Sequence, residues 1–442
     1  MSGATAAHAS YNGSGTQGIA VTNKINDTGE IISTIWGKDD TTKQLLHGAS
    51  LIEIPATGGG TQPGSVFTYT LNSDMDSIGD LYVFATFGIN GSITIIKESA
   101  FLNIINRVEF HCGTQIWQTL ELDDLIAVNS TEFSEGAYEK FILSAQGYIS
   151  DVSFNRQIDD ISANDATDRV ISFKIPLLTR KVGPLYNNFS NINESGFLTA
   201  SAPNQTVKIR IFTNTLADMS GVGINAGTAT STIDMRLFGN HLVMCNEERE
   251  KIRNISGGIA KRVKITQNAT LTSFPAISAG KITAIIDCDH FSLFASHLII
   301  SVHDSSIMTT TNVLSGLSVA DSSGCSLIDA DLRLNNTSYC GRLTGAMMSG
   351  PLPDSMGLYV NSFSSRSITS VRTMHYVFPL SNFAYSGAGV PLNRFDNIRL
   401  TLRIAFDSPT ASTLTELTKL SVTCVGESTA LYKQGAASIS MY

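Results

Sequence analysis

Residues 393–406 read N-R-F-D-N-I-R-L-T-L-R-I-A-F. The second half alternates without a break. Ile398, Leu400, Leu402, Ile404 and Phe406 fall on one side, and Arg399, Thr401, Arg403 and Ala405 on the other. Period-two alternation marks a strand with one face in a core and one face out. A tight polar cluster, R-F-D-N, stands directly ahead of it. The same rule picks out V-F-T-Y-T-L at 66–71, L-Y-V-F-A-T-F at 81–87, and R-V-E-F-H-C at 107–112, which turns at Gly113 into I-W-Q-T-L-E-L. It predicts further strands over 171–177, 207–211, 233–237, 281–288, 297–302, 329–334, 357–361, 374–380 and 420–425. Two segments read as helical. One is L-D-D-L-I-A-V at 122–128. The other is N-E-E-R-E-K-I-R-N at 246–254, where Glu247 with Lys251 and Glu250 with Arg253 form Glu-first pairs one turn apart. Gly257 and Gly258 end it. Many short strands, turn residues between them and few helices point to sandwiches or barrels. The layout is two β-rich halves, 46–250 and 251–442, behind an N-terminal arm, 1–45, rich in Gly, Ser, Thr and Ala and weakly periodic.

The chain has 442 residues, 42% hydrophobic and only 15% charged. Soluble proteins usually carry about 25% charged residues. So the surface rests on Ser, Thr, Asn and Gly, or is covered by partners. A net charge of −8 with no basic run argues against direct nucleic-acid binding. Six scattered cysteines with no C-x-x-C pair fit a reducing compartment. The first residues lack the basic and apolar regions of a signal peptide, and no apolar run reaches the roughly 18 residues that span a bilayer. A soluble chain made inside the cell is expected.

Motifs of catalysis fail on their context. G-S-G-T-Q-G at 13–18 has no strand before it or helix after it. D-T-G at 27–29 has no second copy to share a proton. A-G-K-I at 279–282 follows Pro275 where a phosphate loop needs Gly. D-C-D-H at 287–290 is the most metal-like cluster, with Cys288 and His290 on one face of an extended strand, but two ligands fall short of a closed zinc site. Neither an enzyme nor a cofactor nor a metal is expected. Sequons recur, among them Asn129, Asn335 and Asn336. Asn188 and Asn193, in the polar loop P-L-Y-N-N-F-S-N-I-N-E-S-G, are the exposed candidates for sugar.

Taken in order, several segments are similar to a known family. P-L-N-R-F-D-N-I-R-L-T-L-R-I at 391–404 resembles the "N-x-S-R-[IF]-D-N-x-x-L" segment of the double jelly-roll major capsid proteins of large eukaryotic, nucleocytoplasmic double-stranded DNA viruses. Y-V-F-P-L-S-N-F-A-Y-S-G-A-G at 376–389 looks like its "Y-x-F-x-L…P-S-G" lead-in. Residues 66–87 resemble the first-barrel hairpin "R-x-G-D-L-I-x-x-x-Y-L". R-V-E-F-H-C-G-T-Q-I-W-Q-T-L at 107–120 resembles "V-E-L-x-I-G-G-Q-x-I", with Cys112, Gly113, Thr114 and Gln115 where I-G-G-Q usually stands. H-L-V-M-C-N-E-E-R-E-K-I-R-N at 241–254 looks like "Y-I-Y-L-D-x-E-E-R-x-x-F-A". Residues 421–442 resemble the ending "Y-A-x-x-Y-N-x-L-R-I-x-x-G-x-x-x-L-x-Y". The family's aromatic N-terminal block is not visible in residues 1–60.

The resemblance implies two tandem eight-stranded jelly rolls, a homotrimer with six barrels, and a pseudo-hexagonal capsomer tiling an icosahedral shell. It implies neighbouring capsomers and minor capsid, penton and cement proteins as partners, with an inner membrane reached through minor proteins. It implies a place in the virion after assembly in the host cytoplasm. A minor capsid or vertex paralogue on the same fold, and a β-sandwich glycan-binding protein, are the alternatives. For the opening stretch, Arg394 and Asp396 are expected to pair or to tie down the entering loop, and Asp396 or Asn397 to satisfy turn backbone groups. That would hold the register of a strand in which a one-residue slip inverts both faces. Ordinary solvated loop charges are the plain alternative.

Overall fold

The structure is a computed structural model. It describes residues 47–71, 76–90, 94–95, 104–132, 148–149, 169–175, 197–199, 202–216, 224–225, 230–244, 250, 259–304, 325–359, 375–381, 389–406, 417–433 and 435–440. The first half runs β1 (His47–Ile54), β2 (Ala56–Gly58), β3 (Val66–Leu71), β4 (Ser77–Asn90), β5 (Thr94–Ile95), β6 (Ile105–Cys112) and β7 (Gln115–Glu121). Helix α1 (Leu122–Glu132) follows, then β8 (Tyr148–Ile149), β9 (Arg169–Ile175), β10 (Val207–Thr213), β11 (Ile224–Asn225) and β12 (Thr230–Met244). The second half begins with β13 (Ile259–Leu271), β14 (Lys281–Asp287), β15 (Phe294–Asp304), β16 (Cys325–Leu334), β17 (Thr337–Ser338) and β18 (Leu343–Thr344). Short helices α2 (Gly345–Ser349) and α3 (Pro351–Met356) precede β19 (His375–Pro379), β20 (Val390–Pro391), β21 (Ile398–Phe406), β22 (Leu417–Lys433) and β23 (Ala436–Ser440).

The two halves repeat one topology. In the first, the sheets run β1-β12-β4-β9-β8 and β2-β3-β10-β6-β7. In the second they run β13-β22-β15-β19 and β14-β21-β16-β17. Number the eight principal strands of each half in chain order. The first pairs with the last, the last with the third, and the sixth lies beyond it; the second pairs with the seventh, then come the fourth and fifth. Every one of these pairings is antiparallel. That order is the jelly roll, twice.

Alternation builds the core of each barrel. In β21 the residues Ile398, Leu400, Leu402, Ile404 and Phe406 are buried, and β14 opposite alternates exposed and buried without a break. The register Ile282 to Ile404, Ala284 to Leu402 and Ile286 to Leu400 puts apolar side chains side by side on the inner face. Two tyrosine hydroxyls that enter the core find partners across it. Tyr69 Oη donates to the Met235 carbonyl at 2.6 Å, and Tyr376 Oη accepts the Leu327 N–H at 3.3 Å.

The structure corrects three expectations. Residues 345–356 form α2 and α3, where no helix was expected. Thr344 caps α2 by accepting the Met347 N–H, Pro351 opens α3, and Gly357 closes it at φ 71°. Consequently 357–361 does not begin as a strand: Gly357 is a helix cap and Leu358 a buried anchor. The strand expected over 281–288 stops at Asp287, so His290 leaves the face of Cys288: Cys288 is buried while His290 is exposed. The helix expected over 246–254 lies outside the described residues apart from Glu250, which is helical. The arm 1–45 lies outside them as well.

Candidate functional site

Helix α1 leaves the first barrel and lies between the two. All of its residues are buried, including Asp123, Asp124, Asn129, Ser130, Thr131 and Glu132. Its apolar side explains part of this: Leu122, Leu125 and Ile126 join the main core, while Ala127 and Val128 meet Ile299 of β15 and Val425 of β22. The polar side is matched by the outward face of the second barrel. Lys419 pairs with Asp123, and Lys264 of β13 pairs with Glu132. Thr423 Oγ1 donates to Asp124 Oδ1 at 2.6 Å, and the Glu121 N–H donates to the other oxygen at 3.2 Å. Gln118 Nε2 donates to Thr266 Oγ1 at 3.2 Å, and the Tyr359 N–H to the Thr131 carbonyl at 2.8 Å.

Burial sets the ionisation of this seam. Desolvation pushes the Asp124 carboxyl up to about 7 against the two hydrogen bonds that favour its charge. Desolvation also pulls the Lys264 ammonium down to about 7. His297, beneath α1 on β15, is driven down to about 3, first by burial and then by the Lys264 charge, so its ring is neutral. A buried ion pair earns little net stability, but removing one partner strands a charge in a low dielectric.

The C-terminal hairpin makes a second tie. Gln205 of the first barrel accepts the Ala437 N–H at 2.7 Å and the Cys112 thiol at 3.1 Å. The Leu198 N–H donates to Tyr432 Oη at 3.3 Å, and Phe197 packs between Trp117 and Tyr432 with ring centroids 5.3 and 5.4 Å apart.

The turn ahead of β21 holds the predicted cluster. Leu392–Arg394 form a single 3-10 turn, and the side chains of Arg394 and Asp396 are exposed. The backbone groups there are satisfied from elsewhere. Asn335 Oδ1 accepts the N–H groups of Asp396 and Asn397 at 3.1 and 3.2 Å, and Asp289 Oδ1 accepts the Ile398 N–H at 2.6 Å. Asn335 adopts φ 49° in the β16–β17 turn, and its N–H returns to the Asn397 carbonyl at 2.8 Å. In the sequence alone both partners carry other signals, Asp289 in the metal-like cluster and Asn335 as a sequon. Among the described residues no group of His, Cys, Asp and Glu is placed to hold a metal. Asn188 and Asn193 lie outside the described residues. Asn129 is buried in α1 and closed to any modifying enzyme.

The outward faces of the two β3- and β14-type sheets carry matching charge. In the first barrel Glu109 of β6 stands opposite Arg210 of β10; it pairs with Arg107 at 2.9 Å and His111 at 2.9 Å, and Arg210 lies 3.8 Å away. In the second, Asp329 of β16 stands opposite Arg403 of β21 and is gripped by it. These strands hold the same fourth and seventh places in their barrels.

No protein-family model and no curated protein matches the sequence. Solved structures do. VP54 of PBCV-1, fitted into a reconstruction of the virophage Sputnik, superposes with TM-score 0.67 at 12% identity over 90% of this chain and 97% of that one. The PBCV-1 virus capsid gives 0.67 at 11% over the same shares. The Faustovirus major capsid protein gives 0.61 at 7%, covering 98% of this chain and 97% of that one. The chain therefore has the double jelly-roll fold found in the capsid proteins of these viruses.

Proposed function

We propose that this chain is a structural major capsid protein, three copies of which form a pseudo-hexagonal homotrimeric capsomer that tiles the icosahedral shell of a large DNA virus. The repeated topology carries this reading: two barrels of one strand order per chain give six like units per trimer. The seam supports it, since α1 and the C-terminal hairpin weld the two barrels into one block. The low charged fraction, 15%, suits a surface largely covered by neighbours. Units 46–250 and 251–442, an arm over 1–45, the cluster Arg394, Asp396 and Asn397, which steadies the head of β21 through backbone N–H groups held by Asn335 and not through the exposed side chains of Arg394 and Asp396, and sugars at Asn188 and Asn193 belong to the same proposal. So do contacts with minor capsid, penton and cement proteins, an inner membrane reached through minor proteins, no direct contact with nucleic acid, and assembly in the host cytoplasm before incorporation in the virion. Electron microscopy of the purified protein tests it. Hexagonal particles with six density lobes are expected; elongated two-lobed particles alone, at every concentration, would overturn it.

A further inference from the structure

Among the described residues, strand β14 has an open edge. The Gly280 carbonyl accepts the Phe406 N–H and the Cys288 N–H donates to the Ile398 carbonyl, so residues 280, 282, 284, 286 and 288 direct their backbone groups at β21. Antiparallel pairing then turns the backbone N–H and carbonyl groups of Thr283, Ile285 and Asp287 the other way. Lys281 spends its own on a local bridge to Ser278, and among the described residues no strand lies beyond Thr283, Ile285 and Asp287. The first barrel treats the same place differently. There β2 covers the outer edge of β3, with Ala56 opposite Tyr69 and Gly58 opposite Thr68. The open edge also exposes an apolar side chain, Ile285, at 53%. An exposed, regular, partly apolar edge invites strand addition.

We propose that the chain ahead of β1 supplies the missing strand: residues 30–36, E-I-I-S-T-I-W, add to the open edge of β14. The stretch matches β14 in length, seven residues each. Ile31, Ile32, Thr34, Ile35 and Trp36 are β-branched or aromatic, the types that favour strands. It has apolar residues on both faces. One set extends the inner row of Ile282, Ala284 and Ile286, and the other covers Ile285. Charge sets the direction. When the strands run parallel, Glu30 stands by Lys281 and Lys38 beyond Asp287; antiparallel pairing would put Glu30 against Asp287. The inference needs only the edge and the arm and stands apart from the capsid reading.

The test places a photo-crosslinking amino acid at Thr283 of the full chain. After irradiation and trypsin digestion the adduct is expected on peptide 25–38, and the mass of the crosslinked species shows whether the arm comes from the same copy or a neighbour. Ile285→Pro removes an N–H that faces only the edge, a position where a strand tolerates proline. It should lower the adduct about tenfold or more, because the added strand loses its ladder at that point. The arm variant Ile32→Pro with Ile35→Pro, which leaves the barrel untouched, must give the same loss. Adducts that avoid peptide 25–38, or that persist undiminished in the arm variant, would overturn the proposal.

Discussion

Replacing Asp289 by alanine leaves the Ile398 N–H without its acceptor at the point where β21 starts. Ile398 is fully buried, and the lost bond is short, 2.6 Å, to a carboxylate. A buried donor stranded in this way costs about 1–3 kcal/mol, with bonds to charged groups toward the upper end. For a unit of roughly 150–250 residues each kcal/mol lowers Tm by about 2–4 °C, so about 2 kcal/mol gives a fall of about 4–8 °C. Asn335→Gly removes the second acceptor while keeping the positive φ that the turn requires. Its two bonds lie at an exposed site where water substitutes, so the fall should be smaller, about 1 kcal/mol. Asp396→Ala, whose side chain is exposed, should stay within about 0.5 kcal/mol. Differential scanning calorimetry of the three variants at pH 7 gives the ranking directly. If Asp396→Ala falls furthest and Asp289→Ala not at all, the reasoning from backbone satisfaction is wrong and the exposed cluster itself holds the strand.

Further outcomes follow from the seam and the core. Asp124 titrates at about 7 in the folded chain against an ordinary 3.8, so its favourable protonated form is lost as pH rises from about 4 to about 7. Asp124→Asn, whose amide can donate to Thr423 while its oxygen accepts the Glu121 N–H, should therefore raise Tm at pH 8 and change it little at pH 4; an equal effect at both would refute the assignment. Lys264→Met strands Glu132 and should cost about 3–5 kcal/mol in urea unfolding, and adding Glu132→Leu should recover most of it. No recovery in the double variant would mean the pair is not coupled. Gly345→Ala would place a methyl 2.1 Å from the Leu327 carbonyl, which is backbone and cannot swing aside. About 1–3 kcal/mol of overpacking is expected, read as a drop in soluble yield and Tm, whereas wild-type behaviour would contradict the packing of α2 on β16.

The strands were legible because a two-sided strand writes its burial into the chain. β3 was expected at 66–71 and spans Val66–Leu71, and the alternating half of the opening stretch is β21 itself. Helix α1 was legible in position but not in role. Asp, Asn, Ser, Thr and Glu on a helix read as a solvent face, and only the second barrel's matching Lys264, Lys419 and Thr423 make that face an interior one. Those partners sit 132, 296 and 299 residues away in sequence, beyond the reach of local pattern. The same holds for Asp289, 109 residues before the N–H it satisfies. Helices α2 and α3 were missed because five- and six-residue helices hold too few turns for a period to show; Pro351 and Gly357 were the available signals.

The measurement that bears most directly on the account is the mass of the purified chain by light scattering after size exclusion, at low and high salt. The account predicts a species of about 142 kDa, three times the 47.4 kDa chain, that persists on dilution. A folded 47.4 kDa monomer that never associates at any salt or concentration would contradict it.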